Sequence, residues 1–154
     1  MSGLVESLLA VLVGAASALV PLVNAEVYAL ASAGRSAPAT ALLVVVALAA
    51  GQTLGKLVLF EAARRGSGRF TRRHAPRSPR AARWSQRIGQ ALRSRRTGHP
   101  LVLASAVLGL PPLAAVSLAA GASGQRRWEF GVVCLVGRTA RFAVLVLPAA
   151  WALA

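Results

Sequence analysis

The sequence predicts an all-α integral membrane protein, built from two re-entrant helical hairpins and two crossing helices in an inverted repeat. The chain of 154 residues is 56% hydrophobic with a mean hydropathy of +0.60, values typical of integral membrane proteins. Prolines interrupt its apolar segments at two places, and one basic stretch separates the two halves. We predict five segments: a re-entrant hairpin (1–36), a transmembrane helix (37–62), a basic cytoplasmic loop with an amphipathic helix (63–99), a second re-entrant hairpin (100–125) and a transmembrane helix (126–154).

The first segment combines an apolar sequence with an acidic residue. Glu26 lies in a run of about thirty residues suited to lipid, where an ionisable group costs about 2.5–3.5 kcal/mol on insertion scales. Pro21 and Asn24 interrupt the same run. Non-helical backbone at membrane depth is tolerated only where it is buried in protein or lines a wet cavity. The segment therefore predicts a chain that turns back near Pro21 and Asn24, with Glu26 in a polar site.

Two further segments are long enough to cross a bilayer. Ala39–Phe60 exceeds the roughly 20 residues that a hydrocarbon core requires, and Lys56 near its cytoplasmic end is able to snorkel to the interface. Trp128–Leu153 is also long enough, with Arg138 and Arg141 near its middle. Basic residues at that depth are candidates for a transport or ligand-binding site together with Glu26 and Lys56.

The basic stretch carries most of the net charge of +14, because 12 arginines lie between Arg64 and Arg96 without an acidic residue. Such a stretch stays on the cytoplasmic side and attracts anionic headgroups. Within it, Ala81 to Leu92 has the period of an amphipathic interfacial helix with Trp84 as its anchor and Arg95 intruding on the apolar side. Binding to nucleic acid is the alternative for clustered positive charge, and we do not expect it here.

A third apolar segment, Leu101–Gly121, is cut in half by Pro111 and Pro112. If it crossed the membrane once, Arg126 and Arg127 would lie opposite the basic loop, against the positive-inside preference. A re-entrant turn at Pro111 and Pro112 avoids this conflict. Each half of the chain would then hold one hairpin and one crossing helix, an inverted repeat of the kind found in many transporters. Four ordinary spanning helices remain the alternative.

Small residues predict close helix packing, and the sequence lacks motifs typical of catalytic or metal sites. Gly51, Gly55, Gly121 and Gly137 are expected to allow close packing of helices. Cys134 is expected to be a packing residue. The chain lacks aspartate, a nucleophile-elbow motif and a phosphate-binding loop, so we expect neither an enzyme nor a metal site nor another cofactor.

Several motifs together resemble the DedA/VTT family, also called SNARE-associated Golgi proteins, in a small bacterial-type form. They occur in order along nearly the whole chain: Pro21-Leu-Val-Asn-Ala-Glu26, Gly51-Gln-Thr-Leu-Gly55 through Phe60 to Arg64-Arg65-Gly66, Gly109-Leu-Pro-Pro112 through Gly121, and Gly137-Arg138-x-x-Arg141-Phe142. The resemblance implies opposed re-entrant hairpins and translocation of lipids, either phospholipids or polyprenyl-phosphate carriers, sometimes coupled to protons.

The resemblance also implies roles for single residues. Glu26 matches the acidic position after the first proline turn, and Arg138 and Arg141 match basic residues of the later helix. Lys56 stands where many members carry an acidic residue, which argues against a relay of two carboxylates. The hypothesis is that Arg138 and Arg141 attract a phosphate headgroup while Glu26 accepts a proton or pairs with them.

Two other functions fit parts of the sequence. A small proton-coupled multidrug exporter would also carry one glutamate in its first membrane segment, but it needs four full spans. A scaffold that does not transport could recruit anionic lipid, RNA or a partner through the basic loop. We expect membrane lipids as partners, a multi-pass location in the plasma membrane, and a homodimer as an option for so short a chain.

Overall fold

The computed structural model describes residues 2–19, 27–28, 38–66 and 78–152, and in these ranges the chain is helical without strands. The predicted all-α class is therefore confirmed for this part of the chain. Val27 and Tyr28 are helical. The bounds of the other helices are α1 (Ser2–Leu19), α2 (Pro38–Arg65), α3 (Pro79–Arg93), α4 (Arg95–Leu108), α5 (Leu113–Ala122) and α6 (Arg127–Ala152).

Two of these helices are long and apolar enough to cross a membrane. The stretches concerned are Leu42–Arg65 of α2 and Arg127–Pro148 of α6, with mean hydropathies of 2.0 and 1.9. At about 1.5 Å per residue, α2 and α6 are each roughly 40 Å long, which exceeds a hydrocarbon core of about 30 Å. Both helices were predicted. α2 continues beyond the predicted residue 62, so that Arg64 and Arg65 form its last turn.

The described residues divide into two compact units. Unit 1 comprises residues 1–56 and 135–154. Its α1 and α2 approach each other through glycines, since a Cβ on Gly51 would overlap the carbonyl oxygen of Val11 and one on Gly14 would lie 2.6 Å from that of Leu48. Gly55 lies against Ala15 and Ala18 in the same way. The buried core of unit 1 consists of Ala10, Val44, Val45, Leu48, Ala49, Phe142 and Val146.

Unit 2 comprises residues 57–134 and has its own core. The rings of Phe60 and Phe130 stack with their centroids 5.0 Å apart. A Cβ on Gly121 would overlap the carbonyl oxygen of Phe60, so α5 touches the backbone of α2 there. Buried residues around this contact are Ile88, Leu92, Val102, Ala106, Leu113, Val116, Ala120 and Cys134.

Within unit 2, α4 and α5 are joined by a tight turn over residues 109–112. Gly109 has φ of 80° and donates its N–H to the carbonyl oxygen of Ser105, a left-handed conformation that favours glycine. The Ser105 hydroxyl donates to the carbonyl oxygen of Pro111 at 2.5 Å. The helix interruption thus lies at the predicted prolines, while α4 begins at Arg95, five residues before the predicted start of this segment at residue 100.

The amphipathic helix of the basic stretch is α3. Ile88 and Leu92 are buried in the core of unit 2, whereas Trp84 is 54% exposed. The arginines of the opposite face, Arg80, Arg83 and Arg87, are exposed. Arg95 was expected on the apolar side of this helix, and that expectation is wrong: α3 ends at Arg93, and Arg95 opens α4.

Candidate functional site

Lys56 is buried in unit 1, with 6% of its surface exposed. Its Nζ donates to the carbonyl oxygen of Ala18 at 2.7 Å. This carbonyl belongs to the last turn of α1, where carbonyl groups lack partners within the helix and the helix dipole favours a positive charge. The ammonium therefore caps α1 inside the unit, and Lys56 does not snorkel to the interface.

One helical turn before Lys56, α2 carries a second buried polar group. Gln52 is 7% exposed, and its Nε2 donates to the hydroxyl of Ser17 at 2.9 Å. That hydroxyl in turn donates to the carbonyl oxygen of Gly14 at 2.8 Å. Thr53 is also buried. Gln52 and Lys56 thus form a polar strip along the face of α2 that meets α1, in a helix otherwise suited to lipid.

Gln52 was expected only as part of the Gly51-Gln-Thr-Leu-Gly55 motif, and its place in this strip was not predicted. The available signal was its spacing of four residues from Lys56, which puts the two side chains on one face of a helix. The glycines at 51 and 55 flank them, so the same face both packs closely and carries the polar groups.

Arg138 and Arg141 lie in the part of α6 that belongs to unit 1, as does Lys56. Both arginines are partly buried, and each takes part in an interaction with another group. Their spacing of three residues places them on one face of α6. Three of the four predicted site residues therefore belong to one compact unit. Glu26, the fourth, and the predicted turn residues Pro21 and Asn24 lie outside the described residues.

A second polar cluster lies in unit 2 around Glu129, which is 6% exposed. Arg95 Nη2 lies 2.9 Å from Glu129 Oε1, and His99 Nε2 donates to Oε2 at 3.1 Å. Arg126 Nη1 lies 4.0 Å from Oε1. Glu129 also occupies the first turn of α6, where a negative charge is favoured by the helix dipole. The buried carboxylate is thus surrounded by two guanidinium groups and an imidazole.

The Glu129 cluster brings the start of α4 close to the segment that follows α5. Arg95 and His99 belong to the start of α4, and Arg126 follows the end of α5. Sequence reasoning missed Glu129 because its partners are about thirty residues away. The local signal was an acid placed three residues after Arg126 at the start of an apolar helix.

The described part of the chain contains no group of three or more His, Cys, Asp or Glu side chains that could hold a metal ion. Cys134 is buried in the core of unit 2, where it packs against apolar residues. Chemically, unit 1 offers buried cationic and amide groups that suit an anionic, polar ligand. No protein-family model, curated protein or solved structure matches this chain.

Proposed function

We propose that this protein is a multi-pass plasma-membrane protein of the DedA/VTT type that moves phospholipid or polyprenyl-phosphate headgroups across the bilayer. The observation that carries the proposal is the grouping of Lys56, Arg138 and Arg141 in one compact unit, on helices apolar enough to cross a membrane. Cationic groups at such depth are costly and persist mainly where they face a partner or a pathway. Guanidinium groups bind phosphate with two hydrogen bonds at once.

The exposed surface of the long helices supports a membrane location. A core helix of a soluble protein is mostly buried, whereas 50% of the apolar stretch of α2 and 33% of that of α6 are buried. Contiguous exposed apolar surface of this kind marks contact with lipid or with another protein. The large exposed apolar residues on these two helices are Leu42, Leu43, Val46, Leu54, Val58, Trp128, Val132, Leu135, Val136 and Val144.

The Glu129 cluster supports a hairpin rather than a single broken crossing. Arg95 and Arg126 both contact Glu129. The start of α4 and the end of the segment after α5 therefore lie at the same end of unit 2. A single crossing would have put these two arginines on opposite sides of the membrane. With 10 residues, α5 is about 15 Å long and falls short of a hydrocarbon core of about 30 Å. This length favours a hairpin that turns back inside the membrane.

The composition of the two units is in line with an inverted repeat. Unit 1 contains α1 with the first part of α2 and the last part of α6, while unit 2 contains α4 and α5 with the remaining parts of α2 and α6. Each unit therefore combines one short apolar segment with a part of each long helix. Transporters built from inverted repeats divide their broken and continuous helices in a comparable manner.

The exposed arginines of α3 supply the partner surface in this proposal. Each arginine close to an anionic membrane contributes about 1 kcal/mol of attraction, and exposed Trp84 is suited to the interface. Deleting residues 64–96 would not isolate this role, because Ile88 and Leu92 belong to the core of unit 2. Exchanging the exposed arginines for glutamine tests it without removing the core.

Cysteine labelling tests the hairpin. In a Cys134→Ser background, we expect Arg96→Cys and Arg127→Cys to react with an impermeant maleimide from the cytoplasmic side, since both positions are exposed near the two ends of the hairpin. Leu108→Cys, at a residue 67% exposed beside the turn, should be shielded from both sides by lipid. Reaction of Leu108→Cys from the outside would mean that α4 and α5 cross fully. Reaction of Arg96→Cys and Arg127→Cys from opposite sides would exclude the hairpin.

Lipid transport tests the proposed site. In vesicles that hold the purified protein and fluorescent phospholipids, we expect Arg138→Ala and Arg141→Ala to slow translocation about 10- to 100-fold, the range for losing a hydrogen bond to a charged group. Glu26→Gln is expected to abolish transport. Arg127→Ala, on the same helix but exposed, is the matched control and should transport normally. Normal rates in both arginine variants would reject the site, and an inactive wild-type protein would reject the function.

A further inference from the structure

Among the described residues, Gln52 has a buried side-chain oxygen, Oε1, that lacks a hydrogen-bond partner. A buried amide oxygen without a donor is unfavourable, and most buried polar atoms in proteins are paired. The side chain is 7% exposed and belongs to the polar strip of unit 1, one turn from Lys56. The oxygen is therefore an unpaired hydrogen-bond acceptor one helical turn from a cationic group.

The hydrogen bonds of Ser17 fix which end of the Gln52 amide is unpaired. The Ser17 hydroxyl uses its single hydrogen to donate to the carbonyl oxygen of Gly14 at 2.8 Å. Toward Gln52 the hydroxyl can then only accept, and it does so from Nε2 at 2.9 Å. The NH2 group must face Ser17, so the amide cannot reverse and Oε1 is the atom left without a hydrogen-bond partner.

We infer that Gln52 Oε1 accepts a hydrogen bond from the lipid headgroup, so that the protein prefers phosphate headgroups that carry an N–H or O–H donor. The inference rests on the proposed lipid transport and specifies its substrate class. Side chains four residues apart on a helix have Cβ atoms about 6 Å apart, a gap that a short headgroup such as ethanolamine or glycerol bridges. The Lys56 ammonium favours the phosphate end and Gln52 Oε1 the donor end. Choline carries no donor and leaves the oxygen unpaired.

The test compares headgroups in reconstituted vesicles, using phosphatidylethanolamine, phosphatidylglycerol and phosphatidylcholine labelled on an acyl chain. We expect the wild-type protein to move the first two about three- to tenfold faster than phosphatidylcholine, the range for one hydrogen bond. Phosphatidylethanolamine and phosphatidylcholine are both zwitterionic, so their difference isolates the donor. In Gln52→Met, which keeps a similar volume without polar atoms, the two faster lipids should slow to the rate of phosphatidylcholine.

Ser17→Ala tests the orientation of the amide, because it removes the hydroxyl that holds Nε2 and allows the amide to reverse, and it should reduce the preference for headgroups with a donor. Equal rates for all three lipids in the wild-type protein would overturn the inference while the proposed function stands, and this comparison does not depend on any variant folding. A preference that persists in Gln52→Met would overturn it as well. A wild-type protein that moves none of the lipids would reject the proposed function and the inference with it.

Discussion

Replacing Gly51 with alanine is expected to lower the free energy of unfolding by about 3 kcal/mol, at the upper end of the range for overpacking. The added Cβ would overlap the carbonyl oxygen of Val11 and lie 3.0 Å from the amide nitrogen of Ala15. Both atoms are backbone, so no side chain can rotate to make room, and α1 would have to move away from α2. Unfolding in mixed detergent micelles, followed by circular dichroism, measures the change.

Gly89→Ala is the matched control for this experiment. Gly89 lies inside α3, and a Cβ there would meet nothing within 4 Å. Alanine has a helix propensity better than that of glycine by about 1 kcal/mol, so this variant should be more stable than the wild type. The same exchange thus has opposite signs at two positions. Equal effects at residues 51 and 89 would contradict the close contact of α1 and α2.

The second large effect is expected for Glu129→Ala, which should destabilise unit 2 by about 2–3 kcal/mol. The variant loses the hydrogen bonds from Arg95 and His99 to a carboxylate that is 94% buried, and bonds to charged groups contribute about 1.5–3 kcal/mol each. Since Arg95 is largely exposed, water replaces part of the lost interaction. Glu129→Gln keeps an acceptor of the same shape and should lose less.

Glu61→Ala provides the comparison, because Glu61 forms an ion pair with Arg65 at 2.7 Å on the surface of α2. Exposed pairs four residues apart on a helix contribute only about 0.3–0.5 kcal/mol. Thermal unfolding in detergent should therefore separate the two glutamate variants clearly. A loss at residue 129 no larger than that at residue 61 would mean that the buried cluster does not stabilise unit 2.

Hydropathy and proline positions predicted much of the fold. The lengths of α2 and α6 follow from long, mainly apolar runs, and the turn between α4 and α5 follows from the adjacent Pro111 and Pro112, which favour a break in the helix. The amphipathic period of α3 also marked the face that holds Ile88 and Leu92. These features depend on neighbours within a few residues, which one sequence contains.

The contacts of the polar residues were not predictable in the same manner. Lys56 binds a carbonyl 38 residues away, and His99 binds a carboxylate 30 residues away. The charge of these residues indicates that their burial in an apolar setting is costly. It does not indicate which distant group each one contacts. The expectation for Arg95 failed for a related reason, since the helical period continues across Ser94 although the helix itself ends at Arg93.

The ion cluster of unit 2 contains several basic side chains but a single carboxylate, Glu129. Two guanidinium groups and an imidazole converge on Glu129, and the whole chain has 4 acidic residues against 18 lysines and arginines. Losing Arg126 leaves the carboxylate with closer partners, whereas losing Glu129 leaves two guanidinium groups and an imidazole without the carboxylate that they share. We therefore expect this region to tolerate the loss of a single basic residue better than the loss of its one carboxylate.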